Sequence, residues 1–188
     1  LQAYLEDNND TLKLRYESEI ENYKENERVR AAHILVQVGP EASEVATQEA
    51  REKAENARER ILGGEEFAAV AAEISEDPGS SDEGGDLGVF ERGVNVPEID
   101  NAAFSLEPGE LSEIVQSAFG FHLVQVTERL PARTRPFEEV AGEMAGEDAA
   151  AQAASDRATR LSEALSSQIE AGMTLEEAAA SLDLGPSY

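Results

Sequence analysis

Ser75–Phe90 reads SEDPGSSDEGGDLGVF. Its centre, Gly84-Gly85-Asp86-Leu87-Gly88, has the composition of a tight turn, because glycine enters the positive-φ region without a Cβ penalty, and the apolar residues that follow lead back into a core. Upstream lies Ala32-His33-Ile34-Leu35-Val36 and downstream Phe119-Gly120-Phe121-His122-Leu123-Val124, each placing one histidine on an apolar, strand-like run. These are the two histidines of the chain. A lone histidine on an apolar strand is more often a satisfied core residue than a catalyst. Two of them, set on either side of the same glycine-rich acidic loop, call for a joint explanation.

The order of motifs supplies it. From Arg30 to about Arg129 the chain carries His-Ile-Leu-Val, a Ser-x-Asp-Pro-Gly-Ser loop, Gly-Gly-Asp-Leu-Gly, Ala-Phe-Ser-Leu and Phe-Gly-Phe-His, and in this it resembles the parvulin-type peptidyl-prolyl isomerases. The resemblance implies an α+β fold, a small twisted antiparallel sheet surrounded by helices, here flanked by helical amino- and carboxy-terminal segments of chaperone type. It also implies a site. His33 and His122 would be the paired histidines on neighbouring central strands, and Asp77 would stand beside the substrate carbonyl. Leu87 and Phe104 would form and support the proline pocket, with Phe90 lining the same cavity or serving the core. Ser117 would join the histidine network, and Phe119 would flank the second histidine. At two positions where family members commonly carry Met and Phe as pocket walls, this chain has Asn95 and Ile99. Ile99 keeps apolar volume but loses an aromatic face, and Asn95 brings an amide that needs hydrogen-bond partners if buried.

The chemistry asked of such a site is modest in parts and large in barrier. Rotation about an Xaa-Pro bond crosses about 18–20 kcal/mol without breaking a bond. A catalyst therefore needs an apolar cup for the ring and a fixed polar network around the carbonyl, both better matched to the twisted amide than to either planar form. No cofactor and no metal is expected. Asp77, Asp82 and Asp86 lack the twelfth-position glutamate of an EF-hand loop, and the serines of this loop sit in no Gly-x-Ser-x-Gly elbow. The segment after His33, Gln37-Val38-Gly39-Pro40-Glu41, has no cluster of Lys or Arg, so selectivity for phosphorylated Ser-Pro or Thr-Pro is not expected.

Periodicity organises the rest. Val29–Val38 is a predicted strand. Ala46, Ala50, Ala54, Ala57 and Ile61 trace one face of a helix that ends at Gly63-Gly64, and Phe67, Val70, Ala71 and Ile74 trace a second. A strand at 87–90, a short helix at 100–106, a turn at Pro108-Gly109, and strands at 111–116 and 121–128 complete the order β, α, α, β, α, β, β. In the amino-terminal arm Leu1, Tyr4 and Leu5 have helical spacing, whereas Leu12, Leu14 and Tyr16 alternate as in a strand, with Ser18 placed to cap a second helix. Beyond Pro131, Phe137, Val140 and Met144 open a helix, Leu161, Leu165 and Ile169 continue one, and Thr174 with Glu177 forms a capping-box signature. The expected domains are 1–28, a helical arm; 29–130, the isomerase domain; and 131–188, a helical segment whose sparse apolar face packs on the arm or on a second copy in a homodimer.

Forty Asp and Glu against fifteen Lys and Arg leave a formal charge of −25. That balance opposes nucleic acid and anionic membrane surfaces, which require clustered cations, and fits a heavily solvated surface. Cysteine is absent, and no apolar run approaches the roughly 20 residues that span a bilayer. The chain begins within a pattern at Leu1, so the expectation is a piece of a longer protein with its anchor or signal upstream. Its flanks are similar to those of membrane-anchored periplasmic foldases of the PpiD kind, and its domain is also similar to the SurA and PrsA parvulin domains. Two functions follow. One is an isomerase acting on Xaa-Pro bonds of unfolded exported proteins, on the periplasmic face of a bacterial inner membrane. The other is a catalytically weak or inactive parvulin domain that holds extended polypeptide.

Overall fold

The computed structural model describes residues 1–184; the last four residues of the 131–188 segment lie outside the described residues. In chain order the elements are α1 (Gln2–Ser18), β1 (Lys24–Glu25), β2 (Arg28–Gln37), α2 (Glu44–Leu62), α3 (Phe67–Ile74), β3 (Asp86–Glu91), α4 (Pro97–Ala103), β4 (Val115–Ser117), β5 (Gly120–Leu130), β6 (Arg133–Thr134), α5 (Phe137–Glu170) and α6 (Leu175–Ser181). The chain divides into two compact units, one of Lys24–Arg133 and one of Leu1–Tyr23 with the chain from Thr134 onward.

The first unit is built on a four-stranded sheet of order β3-β2-β5-β4. Its strands pair antiparallel throughout. Because side chains alternate across a strand, the sheet has two differently used faces. Ala32, Ile34, Val36, Phe121 and Leu123 meet Ala50, Ala54 and Ala57 of α2 and Phe67, Val70, Ala71 and Ile74 of α3 in one core. Small alanines let α2 lie close to the strands. Val29, Ala31, Val124 and Val126 meet Phe90, Ile99, Ala103 and Phe104 in a second core on the other face. The two central strands are thus buried on both faces, which explains their near-continuous apolar reading.

The helices start where capping chemistry allows. Ser43 caps α2, its Oγ accepting from the Ala46 N–H at 3.2 Å. Pro97 opens α4, where its missing N–H costs nothing. The short helix expected at 100–106 therefore begins three residues earlier, at that proline. The strand expected at 111–116 shrinks to Val115–Ser117, with one bridge from Leu111 to Gln125. The reason is local: Ser112 replaces a ladder bond with its side chain, Oγ accepting from the Val124 N–H at 2.9 Å, while the Arg58 guanidinium takes the Ser112 carbonyl.

The second unit corrects the reading of the amino-terminal arm. Leu12, Leu14 and Tyr16 lie on α1, a single helix, and Ser18 is its last residue rather than the cap of another. Leu12 is buried with Val140, Met144 and Ala145 of α5, bordered by Tyr4, Leu5, Tyr16, Tyr23 and Phe137. The Tyr16 ring stacks on Tyr23 at 5.1 Å and meets the edge of Phe137, and its hydroxyl donates to the Arg135 carbonyl at 2.7 Å. Arg15 reaches Asp148 at 2.5 Å and Glu147 at 3.2 Å. The expected carboxy-terminal helices are α5, continuous over 34 residues, and α6, which begins with both halves of the Thr174–Glu177 capping box.

Candidate active site

β2 and β5 bring the histidines together. His33 lies opposite Val124 and His122 opposite Leu35, so the two imidazoles are diagonal neighbours on one sheet face. Their centroids are 5.7 Å apart with planes inclined by 22°. His33 is 8% and His122 3% exposed. Each Nδ1 is buried without a hydrogen-bond partner in the structure, while each Nε2 is engaged.

The partners come from loops that the sequence marks for tight turning. His33 Nε2 donates to Asp77 Oδ2 at 2.8 Å. The same oxygen accepts from the Ser80 hydroxyl at 2.5 Å, and Oδ1 accepts from the Gly79 N–H at 3.3 Å. Burial works to raise the Asp77 pKa, but the hydrogen bonds from Ser80, His33 and Gly79 outweigh it and hold the carboxyl below its usual value. Ser75 Oγ ties this loop to the sheet by accepting from the Leu35 N–H at 3.2 Å. The return into β3 passes Gly85, whose φ is +83° and where an added Cβ would stand 2.3 Å from the His33 carbonyl oxygen. Only glycine fits so close to the strand that carries His33.

His122 Nε2 meets Ser117 Oγ at 2.6 Å, and that oxygen also accepts from the Phe119 N–H at 3.0 Å. Burial, followed by the neighbouring His33, pushes the His122 pKa down to about 4, with Asp77 and Glu98 opposing weakly. The imidazole is therefore neutral at ordinary pH. A hydroxyl both donates and accepts, so Ser117 serves Nε2 in either tautomer.

These groups form the floor of a cavity of about 390 Å³ lined by His33, Leu35, Gln37, Asp77, Pro78, Leu87, Asn95, Val96, Ile99, Phe119 and His122. Leu87, Asn95, Ile99 and Phe119 of the expected pocket residues line it, and Phe119 stands 57% exposed at the surface. Phe90 and Phe104 do not. They are buried behind it, ring against ring at 5.9 Å in the second core, with the Arg92 guanidinium 4.4 Å over Phe104. Ser117 acts on the cavity only through His122. Gln37, Pro78 and Val96 were not anticipated. Gln37 was within reach of the strand period, two residues beyond Leu35 and four beyond His33 on the same face.

A cavity with an apolar wall and a polar floor can hold a ring and meet a rotating carbonyl with fixed dipoles. The rotation of an amide breaks no covalent bond and so asks for no nucleophile in the cavity.

Comparison with known proteins agrees with this geometry. Residues 33–128, just over half of the chain, match the family model described as rotamase, the PPIC-type PPIASE domain. A foldase protein PrsA of Caldanaerobacter subterraneus subsp. tengcongensis is 42% identical over 132 residues, covering 70% of this chain and 37% of the relative. Foldase protein PrsA 4 of Bacillus cereus is 38% identical over 112 residues, 60% of this chain and 35% of the relative. The chain thus spans little more than a third of the length of these curated relatives. Among solved structures, one from a study of two SurA-like chaperones of Campylobacter jejuni is similar at a TM-score of 0.56 and 25% identity, covering 80% of this chain and 61% of that one. A solved PpiC-type peptidyl-prolyl cis-trans isomerase domain is similar at 0.52 and 25% identity, covering 58% and 97%. With the motifs in order, the paired histidines on adjacent strands and the family match over residues 33–128, the chain belongs to the PpiC-type, or parvulin, family of peptidyl-prolyl isomerases.

Proposed function

We propose that this chain accelerates cis–trans isomerisation of Xaa-Pro bonds in unfolded or extended polypeptides outside the cytoplasm, without requiring phosphorylation. The observation that carries the proposal is the pairing of a neutral, buried His122 held by Ser117 with a His33 held by Asp77, both on the floor of a cavity whose wall is Leu87, Val96 and Ile99. In this reading the ring rests on the apolar wall and the Xaa carbonyl turns over the histidine–aspartate floor, whose hydrogen bonds are fixed before the substrate arrives. Such preorganisation favours the twisted amide, in which resonance is lost, over the planar forms. The cavity lining includes no Lys or Arg, and at the end of β2 Glu76 accepts the Gln37 N–H at 2.7 Å. The lining thus offers no cation to clamp a phosphate. Extracytoplasmic work is supported by likeness to PrsA foldases and SurA-like chaperones.

A second reading, a parvulin domain that holds chains without turning over, draws on Asn95, which puts an amide where the cavity wall is otherwise apolar. One experiment separates the two. NMR exchange between cis and trans forms of an unphosphorylated Ala-Ala-Pro peptide is measured with the wild-type chain and with His122→Ala. Exchange enhanced by the wild type and lost in the variant is the expected result. Chemical-shift changes without faster exchange would replace the isomerase reading with the holding one.

A further inference from the structure

Phe119 lines the cavity and yet stands 57% exposed. A single apolar residue at the surface needs no explanation by itself. This one is fixed in place by its main chain. Its N–H donates to Ser117 Oγ at 3.0 Å and its carbonyl accepts the Val38 N–H at 2.9 Å, so neither backbone group is left to solvent. Gly120 follows at a φ of +140° and turns the chain into β5. The ring is therefore presented from a tied hairpin, at the mouth of the cavity, where it offers a large apolar contact area with few torsions left to freeze on binding. The chemistry above does not use it.

The strand register gives the cavity two ends. Val96 and Ile99 pack with Ala31, Val124 and Val126, on the side of the histidines toward the start of β2. Leu35, Gln37 and Phe119 lie on the other side, toward the end of that strand, where Gln37 pairs with Gly120. Leu35, 7% exposed, floors this far end, and the Gln37 side chain is tied back, its Nε2 donating to the Glu76 carbonyl at 2.8 Å. An apolar seat beside an aromatic ring remains. In an Xaa-Pro segment the pyrrolidine ring hangs on the nitrogen of the rotating bond and Xaa on its carbonyl carbon. With the ring on Val96 and Ile99 and the carbonyl over the histidines, the Xaa side chain falls at the far end. We propose that Phe119 is a specificity-determining residue, whose ring packs on the side chain of the residue before the proline and selects a large apolar Xaa, such as leucine, over glycine. This rests on the assignment of the cavity as the proline site. Every Xaa-Pro segment carries the ring and the carbonyl, whereas the Xaa side chain differs from one segment to the next, so a contact there discriminates among clients. The contact lies outside the rotating atoms and is made in the ground and transition states alike, so it acts on kcat/KM and on the dissociation constant together.

The test compares two peptides on the full chain. Acetyl-Ala-Leu-Pro-Ala-amide and acetyl-Ala-Gly-Pro-Ala-amide differ only at Xaa. Their cis–trans exchange, measured by NMR at low occupancy to report kcat/KM, and their dissociation constants, from titration in the same samples, are recorded for wild type, Phe119→Ala and Phe119→Leu. Wild type is expected to favour the leucine peptide, and Phe119→Ala to shrink that preference by about 3- to 10-fold, the range of one aromatic contact, with part of it restored in Phe119→Leu. Losses that strike both peptides alike, through the Ser117 hydrogen bond or the fold, cancel in the ratio of ratios. No preference in wild type, or the same preference in Phe119→Ala, overturns the proposal. Absence of acceleration with the expected preference kept in the dissociation constants would remove the isomerase reading and leave Phe119 in its role, whereas a titration that moves no resonance of the cavity would remove both.

Discussion

His122 shows how a single buried side chain ties the site to pH. Its pKa stands at about 4 in the folded chain against 6.5 for an unperturbed histidine, because burial disfavours the imidazolium and His33 adds to that. Between those two values the unfolded chain binds the proton more readily than the folded one. Stability on this account is fully present above pH 6.5, falls as the pH drops toward 4, and the whole interval is worth about 3 kcal/mol. Asp77 acts in the same direction at lower pH, since a carboxyl held below its usual value is lost to the fold only when it protonates. Wild type and His122→Gln, compared by urea unfolding at pH 7.5 and pH 4.5, are expected to differ in their losses by about 2 kcal/mol, the wild type losing more. Equal losses would mean that His122 is not the group that senses this range. The same neutrality predicts that the His122 ring stays in its neutral form from pH 8 down to about 5, so its imidazole nitrogen NMR signals keep neutral-ring values over that range while the Ser117–His122 hydrogen bond keeps its proton count.

At the scale of elements, the short connection between β4 and β5 sets the distance between Ser117 and His122. Gly120, the first residue of β5, closes it at φ +140°, and an added Cβ would stand 2.1 Å from the Val36 carbonyl oxygen and 2.8 Å from the Val38 nitrogen. Those atoms are main chain and cannot step aside without moving β2. Gly120→Ala is therefore expected to cost more than about 2 kcal/mol of unfolding free energy and to lower turnover with it, while Gly39→Ala, where nothing lies within 4 Å of the added atom, stays within about 0.5 kcal/mol. Comparable midpoints for the two variants in urea would show that the hairpin yields. Much of this unit was legible from sequence because its signals are local: alternation on β2 and β5, the alanine face of α2, glycines at forced turns. The amino-terminal arm was not, and the reason is arithmetic. Leu12 and Tyr16 are four apart and share a helix face, yet with Leu14 between them they also satisfy a period of two. Leu14 is 68% exposed on α1, so what looked like the middle of an alternating strand is the solvent side of a helix. The pocket divides in the same way. His33, His122 and Asp77 could be read from motif order, as could Phe104 as a support, whereas Phe90 stayed open between cavity and core because that choice depends on how α4 lies on the sheet, which no spacing encodes.

For the whole molecule the dominant quantity is charge. Forty acidic against fifteen basic side chains leave an excess of 25 negative charges, and many of the cations are committed to bridges, among them Arg60 to Glu65 and Glu73, Arg129 to Glu27, Arg30 to Asp86, and Arg15 to Glu147 and Asp148. Exposed pairs of this kind contribute little each, while the unmatched carboxylates repel one another over the full surface and weaken the compact state. Salt acts on both. Raising sodium chloride from 20 mM to 0.5 M shortens the screening length from roughly 20 Å to about 4 Å, which relieves long-range repulsion almost completely and affects contact pairs near 2.6–2.8 Å much less. The urea midpoint at pH 7.5 is therefore expected to rise with salt, because repulsion is the larger and longer-ranged of the two effects, and urea carries no charge of its own to confuse the titration. A falling midpoint would place the ion pairs above the repulsion. The same surface bears on the proposed work: an extended client with a basic residue near its proline should associate faster than an acidic one, with the difference fading as salt is added, and equal association rates for Lys-Pro and Glu-Pro peptides at low salt would show that the field does not reach the cavity.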